Sequence, residues 1–498
     1  MIATSMSEIA KTLGAKIIGN DVNISTVFTD SRRENPSGLF VALKGPHFDA
    51  HRFVNEVLKS GANGVVVERP VETDKAQIVV PNTRLALAEI ARLNRNKSRA
   101  KYIAITGSSG KTTVKEMVAS ILQLSKNTFA TRGNLNNDIG VPLTLLEIDQ
   151  DVEYGVVELG ANHAGEVAFT ADITRPDVAL VNNISAAHLE GFGDLHGVAN
   201  AKREIYSALS KEGVAVLNGD DHFFQYFQKK ITTKKIIFSV HENTNADVKA
   251  KNIQLNDDQS STFDLYYKQQ QVHICLPIVG QHNVANALAA ASCCLAVGIS
   301  LSQIAEGLQN APVVAGRLVI HQHKQGCRII DDTYNANVAS MKAAIDLLSH
   351  YPSPKILVLG DMAELGESGR QCHQQVGEYA KQKNIDKLIS CGVLSQFSQQ
   401  AFSKNDDDYH QPAQNRTKQE LDDRGQHFNH QEELVKKLKQ EAIAGATLLI
   451  KGSRSAHMEN VVHALMEEDG SDSSGKESFK SRSSSVTESS AASLKGEN

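Results

Sequence analysis

Six cysteines in 498 residues (Cys275, Cys293, Cys294, Cys327, Cys372 and Cys391) are few, and none are spaced as Cys-x-x-Cys. That spacing argues against a zinc site or a disulfide framework. Cys293 and Cys294 are adjacent in an apolar helical run and read as small core residues in a reducing compartment. No apolar run reaches the roughly 20 residues that cross a bilayer. The opening stretch, Met1 to Lys11, lacks the basic-then-apolar order of a secretory signal. The expectation is a cytoplasmic protein with no membrane span. A basic excess is also missing: 52 Lys and Arg stand against 57 Asp and Glu, a net charge of −5. With no long basic stretch, a nucleic-acid surface is not indicated.

The chain does have the length for several hydrophobic cores, so two to four domains are expected. A hydrophobic content of 41% with 34 glycines fits a soluble α/β protein. Its most informative stretch is Tyr102-Ile-Ala-Ile-Thr-Gly-Ser-Ser-Gly-Lys-Thr-Thr113. Tyr102 to Ile105 read as a buried strand, and Gly107, Ser108, Ser109 and Gly110 break it. From Lys111 the apolar positions Val114, Met117, Val118, Ile121 and Leu122 recur at helical spacing. A strand, a glycine loop and Lys-Thr-Thr at a helix start are what a nucleotide's phosphate tail requires. Backbone N–H groups converge on the anion, Lys111 reaches the β and γ oxygens, and Thr112 offers a hydroxyl to Mg²⁺. Such loops usually carry a glycine five residues before Gly110; Ile105 stands there, so the loop is a variant.

Before this loop, residues 1–97 form a first unit. Ser7 is placed to cap an opening helix through Ile9 and Leu13. Short strands follow at Val27–Thr29 and Leu39–Leu43. The polar segments at their ends, Thr29-Asp-Ser-Arg-Arg33 and Lys44-Gly45, are either solvated turns or an anion pocket with Arg32 and Lys44 as donors. From Tyr102 to Leu217, apolar strands at Tyr154–Leu159, Val178–Asn182 and Gly213–Leu217 alternate with helical stretches, the mark of a parallel sheet covered on both faces. Ligands of such sheets sit beyond the carboxyl ends of the strands, so Glu158 and the segment Asn182 to His188 should face the phosphate loop. Residues 230–275 read as an antiparallel excursion, and a long apolar helix runs from Ala285 to Val297. A third βα unit follows Gly316-Arg317, with strands at Arg328–Asp331, Lys355–Leu359, Lys387–Ser390 and Thr447–Lys451. Residues 403–432 are polar and read as a long surface loop, and residues 469–498 as a Ser-rich, disordered tail.

Glu158 and His188, each at the ligand end of a strand beside a phosphate loop, are candidate Mg²⁺ ligands: a hard cation takes carboxylate oxygen and accepts imidazole nitrogen. Ordered motifs then accumulate: Thr106-Gly-Ser-Ser-Gly-Lys-Thr-Thr113, Gly133-Asn-Leu-Asn-Asn-Asp-Ile-Gly140, Glu158-Leu-Gly-Ala-Asn-His-Ala-Gly165 and Asn183-Ile-Ser-Ala-Ala-His-Leu189. Ala201-Lys-Arg-Glu-Ile205, Gly280-Gln-His-Asn283, Asp331-Asp-Thr-Tyr-Asn-Ala-Asn337, Gly360-Asp-Met-Ala-Glu-Leu-Gly366 and Lys451-Gly-Ser-Arg-Ser455 continue the series. With these the chain resembles the Mur ligase family from about residue 25 to residue 462, apart from residues 403–432.

The resemblance implies an α/β protein of three domains: a UDP-sugar domain (1–97), a central, mostly parallel P-loop-type domain (98–314) and a C-terminal Rossmann-like domain (315–468). It implies an ATP-dependent ligase acting on UDP-N-acetylmuramoyl-tripeptide and D-alanyl-D-alanine through an acyl phosphate. ATP and two Mg²⁺ ions are the implied cofactors, and a monomer the implied state. Lys111 and Thr112 take the phosphates and first Mg²⁺, with Glu158 and His188 completing the metal set. Lys202 matches the family's carbamylated lysine. Asn283 matches an adenine contact, Arg317 an interdomain arginine on the phosphates, and Asp332 a ribose contact. Asn134, Asn136 and Asn137 are either substrate contacts or simple turn formers; Ser31, Arg32 and Lys44 stand as UDP contacts. Tyr334, Asn335, Asn337 and Arg454 line the side of the incoming dipeptide. A folylpolyglutamate synthase is the nearest alternative, opposed by the N-terminal unit of nearly a hundred residues. Sister muramyl ligases are opposed by Tyr334-Asn-Ala-Asn337 and Gly133-Asn-Leu-Asn-Asn137. A nucleotide-gated scaffold without turnover would be expected to lack one of Lys111, Glu158, His188 and Lys202; all four are present.

Overall fold

The strand Lys101–Thr106 lies third from one edge of a nine-stranded sheet in the computed structural model, which describes residues 1–33, 35–187, 189–241, 245–256, 260–404 and 424–467. On one side it pairs in parallel with Tyr154–Glu158, and beyond that lies Thr128–Ala130. On the other side come Val178–Val181, Val214–Asn218, Lys234–Ser239 and Val248–Leu255, again parallel. The chain thus passes to opposite sides of Lys101–Thr106, and the crevice beyond Thr106 is a topological switch point. Glu158 ends one neighbour of that crevice, and Asn182 follows the other.

Among the described residues of this sheet, antiparallel pairing is confined to its far edge, where Ser261–Tyr267 pairs with Val248–Leu255 on one side and Gln270–Leu276 on the other. The expected antiparallel excursion over residues 230–275 is therefore corrected: Lys234–Ser239 continues the parallel order, and the reversal begins after Val248–Leu255. Weak alternation in that stretch conceals the pairing direction, which local sequence does not encode.

The helix Lys111–Gln123 turns its apolar stripe onto one face of this sheet with Gln281–Ala296 and Leu301–Gln309. Val118, Ile121 and Leu122 are fully buried there, each contributing about 1.5–3 kcal/mol by burial. Gln281–Ala296 buries a run of small residues including Cys293 and Cys294, and burial pushes both thiols up. The opposite face shares one core with the N-terminal unit, from Met6 and Leu87 to Val157 and Val198. Helix Thr83–Lys97, capped by Asn82, makes the seam. Its buried Asn94 donates to the carbonyls of Leu145 and Ile148, both at 2.8 Å, and accepts from the N–H of Ile2.

The N-terminal unit has a five-stranded sheet in the order Ile17–Ile18, Ala76–Val79, Gly64–Val67, Leu39–Val41, Val27–Phe28. Its first helix, Met6–Thr12, is capped by Ser5, whose hydroxyl accepts from the N–H of Glu8, and not by Ser7, which lies in the first turn.

The C-terminal unit is a six-stranded sheet in the order Val319–Gln322, Arg328–Asp332, Thr447–Lys451, Lys355–Leu359, Lys387–Cys391, Gly425–Phe428. All but the antiparallel edge Val319–Gln322 run in parallel. Both faces carry apolar cores. The expected loop over residues 403–432 is overturned at its end, since Gly425–Phe428 is a strand and Gln431–Glu441 a helix. Residues 405–423 of that stretch, and residues 469–498, lie outside the described residues.

Candidate functional site

Gly110 caps the phosphate-loop helix in a left-handed conformation, φ 74°. A β-carbon there would stand 2.5 Å from Oδ1 of Asn286 and 2.6 Å from Nδ2 of Asn182. Only glycine meets both conditions. Around it the loop is tied to the switch-point strand. Ser108 N–H donates to the carbonyl of Asn183 at 2.9 Å, and Ser109 N–H to its side-chain Oδ1 at 2.9 Å. Asn182 Nδ2 donates to Ser109 O and to Asn286 Oδ1, and Asn286 in turn to Asn283. These asparagines fix the loop's shape without offering charge.

Lys111 folds back, its Nζ donating to Gly107 O at 2.9 Å. Burial lowers the pKa of its ammonium; Glu158 opposes that shift, and Arg317 adds to it. Glu158 is 2% exposed. Its Oε1 accepts from Asn136 Nδ2 at 2.8 Å, whereas its buried Oε2 has no hydrogen-bond partner. An orphaned carboxylate oxygen beside a phosphate loop fits a hard cation. No group of three or more His, Cys, Asp or Glu gathers as a metal cage among the described residues. A cation here would therefore draw on Glu158, on the Thr112 hydroxyl and on phosphate oxygens.

Lys202, on the helix Leu195–Arg203, is 1% exposed. No carboxylate among the described residues lies within ion-pair distance of it, and its Nζ sits 5.9 Å from the centroid of the Phe192 ring. Burial, and then the charge of Lys111, hold its pKa well below the usual lysine value. Lys111 and Glu158 share one place, and Lys202 is near enough to Lys111 to feel its charge but is not among the residues lining the cavity. His188, the other expected ligand, lies outside the described residues.

One cavity of about 820 Å³ opens where the central and C-terminal units face each other. The phosphate loop (Ser108, Ser109, Gly110, Lys111, Thr112, Thr113) and Glu158 line one wall. Arg317 crosses from the other wall: its guanidinium lies 4.4 Å from the ring centroid of Tyr334, and one of its Nη atoms donates to the Thr112 hydroxyl at 3.3 Å. Asn337 likewise donates to Ser108 O at 3.2 Å while capping the helix Val338–Ser349. Asn335 and Arg454 also line this wall. Asp332 is paired with the buried Lys451 at 2.6 Å, and Lys451 also donates to Asn335 O. Asn283 lines the cavity with its amide turned onto Val279 O.

All three expected asparagines, Asn134, Asn136 and Asn137, line the cavity, and two of them are also engaged within the protein. Asn136 serves Glu158. Asn137 accepts from the N–H groups of Ile139 and Gly140, at 3.2 and 2.8 Å, at the start of helix Gly140–Leu146. Ser31, Arg32 and Lys44 are not brought to this cavity. Arg32 pairs with Asp30 at 2.8 Å, its side chain 88% exposed, and the backbone of Lys44 forms an isolated antiparallel β-bridge with that of Asp49 in the N-terminal unit. Asn286, Lys451 and His282 were given no role from sequence, and Asn182 entered only as the start of the segment expected to face the phosphate loop. Lys451 sits at a strand end, a signal that could have found it; Asn286 lies one helical turn beyond Asn283.

Comparison with known proteins gives two family matches: the Mur ligase middle domain over residues 105–294 and the Mur ligase glutamate ligase domain over residues 316–454. The chain is 44% identical over 472 residues to the UDP-N-acetylmuramoyl-tripeptide–D-alanyl-D-alanine ligase of Escherichia coli (strain K12), covering 94% of this chain and 99% of that protein. It superposes on MurF from Acinetobacter baumannii with a TM-score of 0.84 and 37% identity, covering 94% of this chain and 99% of the other. MurF ligase from Thermotoga maritima in complex with ADP gives 0.77 at 25% identity, covering 89% and 97%.

Proposed function

The chain belongs to the Mur ligase family, and from that premise we propose that it joins D-alanyl-D-alanine to UDP-N-acetylmuramoyl-tripeptide, consuming ATP. The observation that carries this reading is the end-to-end match to ligases of that name. It coincides with a cavity in which a phosphate loop, Glu158 and an arginine from the C-terminal unit meet. The product is UDP-N-acetylmuramoyl-pentapeptide, for peptidoglycan synthesis.

The terminal carboxylate of the tripeptide attacks the γ-phosphorus, the bond to the bridging oxygen breaks, and ADP leaves an acyl phosphate behind. The neutral amine of the dipeptide then adds to the acyl carbon, phosphate departs, and the amine's proton is released. Activation is needed because a carboxylate oxygen leaves poorly and phosphate leaves readily. Lys111 exchanges the Gly107 carbonyl for the β and γ oxygens, and the free N–H groups at the start of Lys111–Gln123 favour the anion. Arg317 adds positive charge from the opposite wall.

Thr112, Glu158, His188 and a carbamylated Lys202 are the groups that would hold two Mg²⁺ ions, which when bound neutralise phosphate charge. The orphaned Oε2 of Glu158 supports this. A buried amine with no carboxylate partner among the described residues is also suited to add to carbon dioxide, releasing a proton and leaving an anionic carbamate. Asn283 is assigned to the adenine and Asp332 to the ribose. Asn134, Asn136 and Asn137 serve the diphosphate or sugar end. Ser31, Arg32 and Lys44 serve the uridine diphosphate, Arg32 by leaving Asp30. Tyr334, Asn335, Asn337 and Arg454 form the dipeptide side. The domain bounds proposed are 1–97, 98–314 and 315–468. No helix among the described residues is long and apolar enough to cross a membrane, and a monomer acting in the cytoplasm is the proposed setting. Phosphate release in the presence of ATP, Mg²⁺ and UDP-N-acetylmuramoyl-tripeptide should require D-alanyl-D-alanine; dependence on glutamate instead would overturn the proposal.

A further inference from the structure

Lys115 has no part in the chemistry above, yet its side chain is among the largest fully buried in the molecule, at 1% exposure. It lies in the second turn of the phosphate-loop helix. Its Nζ donates to Thr131 O at 2.6 Å and pairs with Glu116 at 2.6 Å. Burying an ammonium is costly unless it is paired and hydrogen-bonded, and a methionine would fill the same space more cheaply. What the ammonium holds is therefore informative.

Thr131 stands at the root of the loop that carries Asn134, Asn136 and Asn137. Its hydroxyl accepts the N–H of Glu158 at 3.0 Å, and its own N–H donates to Val156 O at 2.9 Å. Five residues on, Asn136 returns to the same strand end. Its carbonyl accepts from Gly160 N–H at 2.8 Å, and its amide donates to Glu158 Oε1 at 2.8 Å. A β-carbon on Gly160 would stand 2.9 Å from the Asn136 side chain, so that approach is close on both sides. Glu158 is thus gripped twice by one loop, at its backbone by Thr131 and at its carboxylate by Asn136. The root of that loop is pinned to the phosphate-loop helix by Lys115.

We infer that Lys115 is a positioning residue, which sets the asparagine loop and the Glu158 carboxylate in register with the phosphate loop. The inference rests on the ligase reading above, because it names what positions Glu158 for that reaction. Loss of the Lys115 ammonium would leave the loop anchored to Tyr154–Glu158 but free to shift against the nucleotide. The defect would appear where the two substrates and the cation meet, not in the stability of the fold.

The test is Lys115→Met in the full chain, with Lys115→Met/Asn136→Ala and Asn136→Ala beside it. One hydrogen bond from a charged donor is worth a factor of about ten or more. The expected results are therefore a rise of about tenfold in the Mg²⁺ concentration for half-maximal rate and in the KM for UDP-N-acetylmuramoyl-tripeptide, with kcat within about threefold. The double variant should show less than the product of the two single effects, because both act on Glu158. Unchanged Mg²⁺ dependence in a folded Lys115→Met protein, or strictly multiplicative effects, would overturn the inference. Should Lys115→Met fail to fold, Lys115→Gln, which is polar but shorter and without the ammonium, gives the same readout: an unshifted Mg²⁺ requirement there overturns it too. A wild-type chain that turns over no UDP-muramyl peptide would count against the ligase reading itself, separately from these comparisons.

Discussion

Replacing Glu158 with Gln separates stability from function, because the two should move in opposite directions. The side chain is buried with Oε1 satisfied by Asn136 at 2.8 Å and Oε2 left without a partner. Gln keeps the shape and leaves Oε1 to accept the same bond, but puts a neutral amide where the unpaired carboxylate oxygen stood. An unsatisfied buried neutral group costs about 1–3 kcal/mol, and an unsatisfied charged one costs more. Glu158→Gln should therefore gain roughly 1 kcal/mol when measured without nucleotide or divalent cation. For a domain of this size that corresponds to a rise in Tm of about 2–4 °C. An amide nitrogen cannot ligate a cation, so the Mg²⁺-dependent rate should fall at least about a hundredfold, in line with losing one charge-stabilising group. Thermal melts in a chelator and ADP release at saturating Mg²⁺ are the assays. A variant that melts lower yet turns over normally would refute the reasoning, since Glu158 would then be a structural acid.

Other perturbations have equally definite outcomes. Gly110→Ala faces the left-handed backbone, costing about 1–2 kcal/mol, and displaces the Asn182–Asn286 hydrogen bond, about 1 kcal/mol more. Nucleotide affinity by titration calorimetry should fall by at least about tenfold for each 1.4 kcal/mol transmitted to the bound state; unchanged affinity would mean the loop has another shape. Lys202→Ala should be nearly inactive, with partial return of turnover on adding a small carboxylate; near-normal rates in the unsupplemented variant would remove Lys202 from the site. The Asp49 carboxyl is held down at about 2, first by the His51 backbone N–H and also by the side chains of His51 and Arg69. A carboxyl lowered on folding contributes stability above its ordinary value of 3.8 and loses it as the pH falls towards 2. The difference in urea midpoint between wild type and Asp49→Ala should accordingly be constant above about pH 5 and close between pH 4 and 2; a gap that widened on acidification would contradict this.

Much of the site was legible because its signals are local. The strand, the glycine break and the Lys111 helix lie within some twenty residues, and the switch-point rule then located Glu158 and the segment after Val181. Lys202 needed the family pattern, since a helix lysine in isolation reads as solvated, yet its burial, with no carboxylate partner among the described residues, is evident once the helices pack. The Asn182–Asn286 bond spans 104 residues, and the Arg317–Thr112 contact spans 205. Neither leaves a periodic or spacing signal. Gly425–Phe428 was lost inside a polar stretch because a short edge strand shows little hydrophobic alternation. Ser5 and Ser7 both suit a cap by residue type, and the choice of Ser5 is made by where the chain enters the helix. Arg32 illustrates a different limit: residue type alone offered it as an anion donor, and Asp30 two positions away holds it in an exposed pair.

The central claim is that the peptide carboxylate becomes an acyl phosphate within the cavity beside Lys111. It is tested most directly by labelling the terminal carboxylate of UDP-N-acetylmuramoyl-tripeptide with oxygen-18 and analysing the phosphate released by mass spectrometry. One labelled oxygen is expected in each phosphate, formed together with UDP-N-acetylmuramoyl-pentapeptide and only when D-alanyl-D-alanine is supplied. Phosphate carrying no label, formed alongside the pentapeptide, would contradict it.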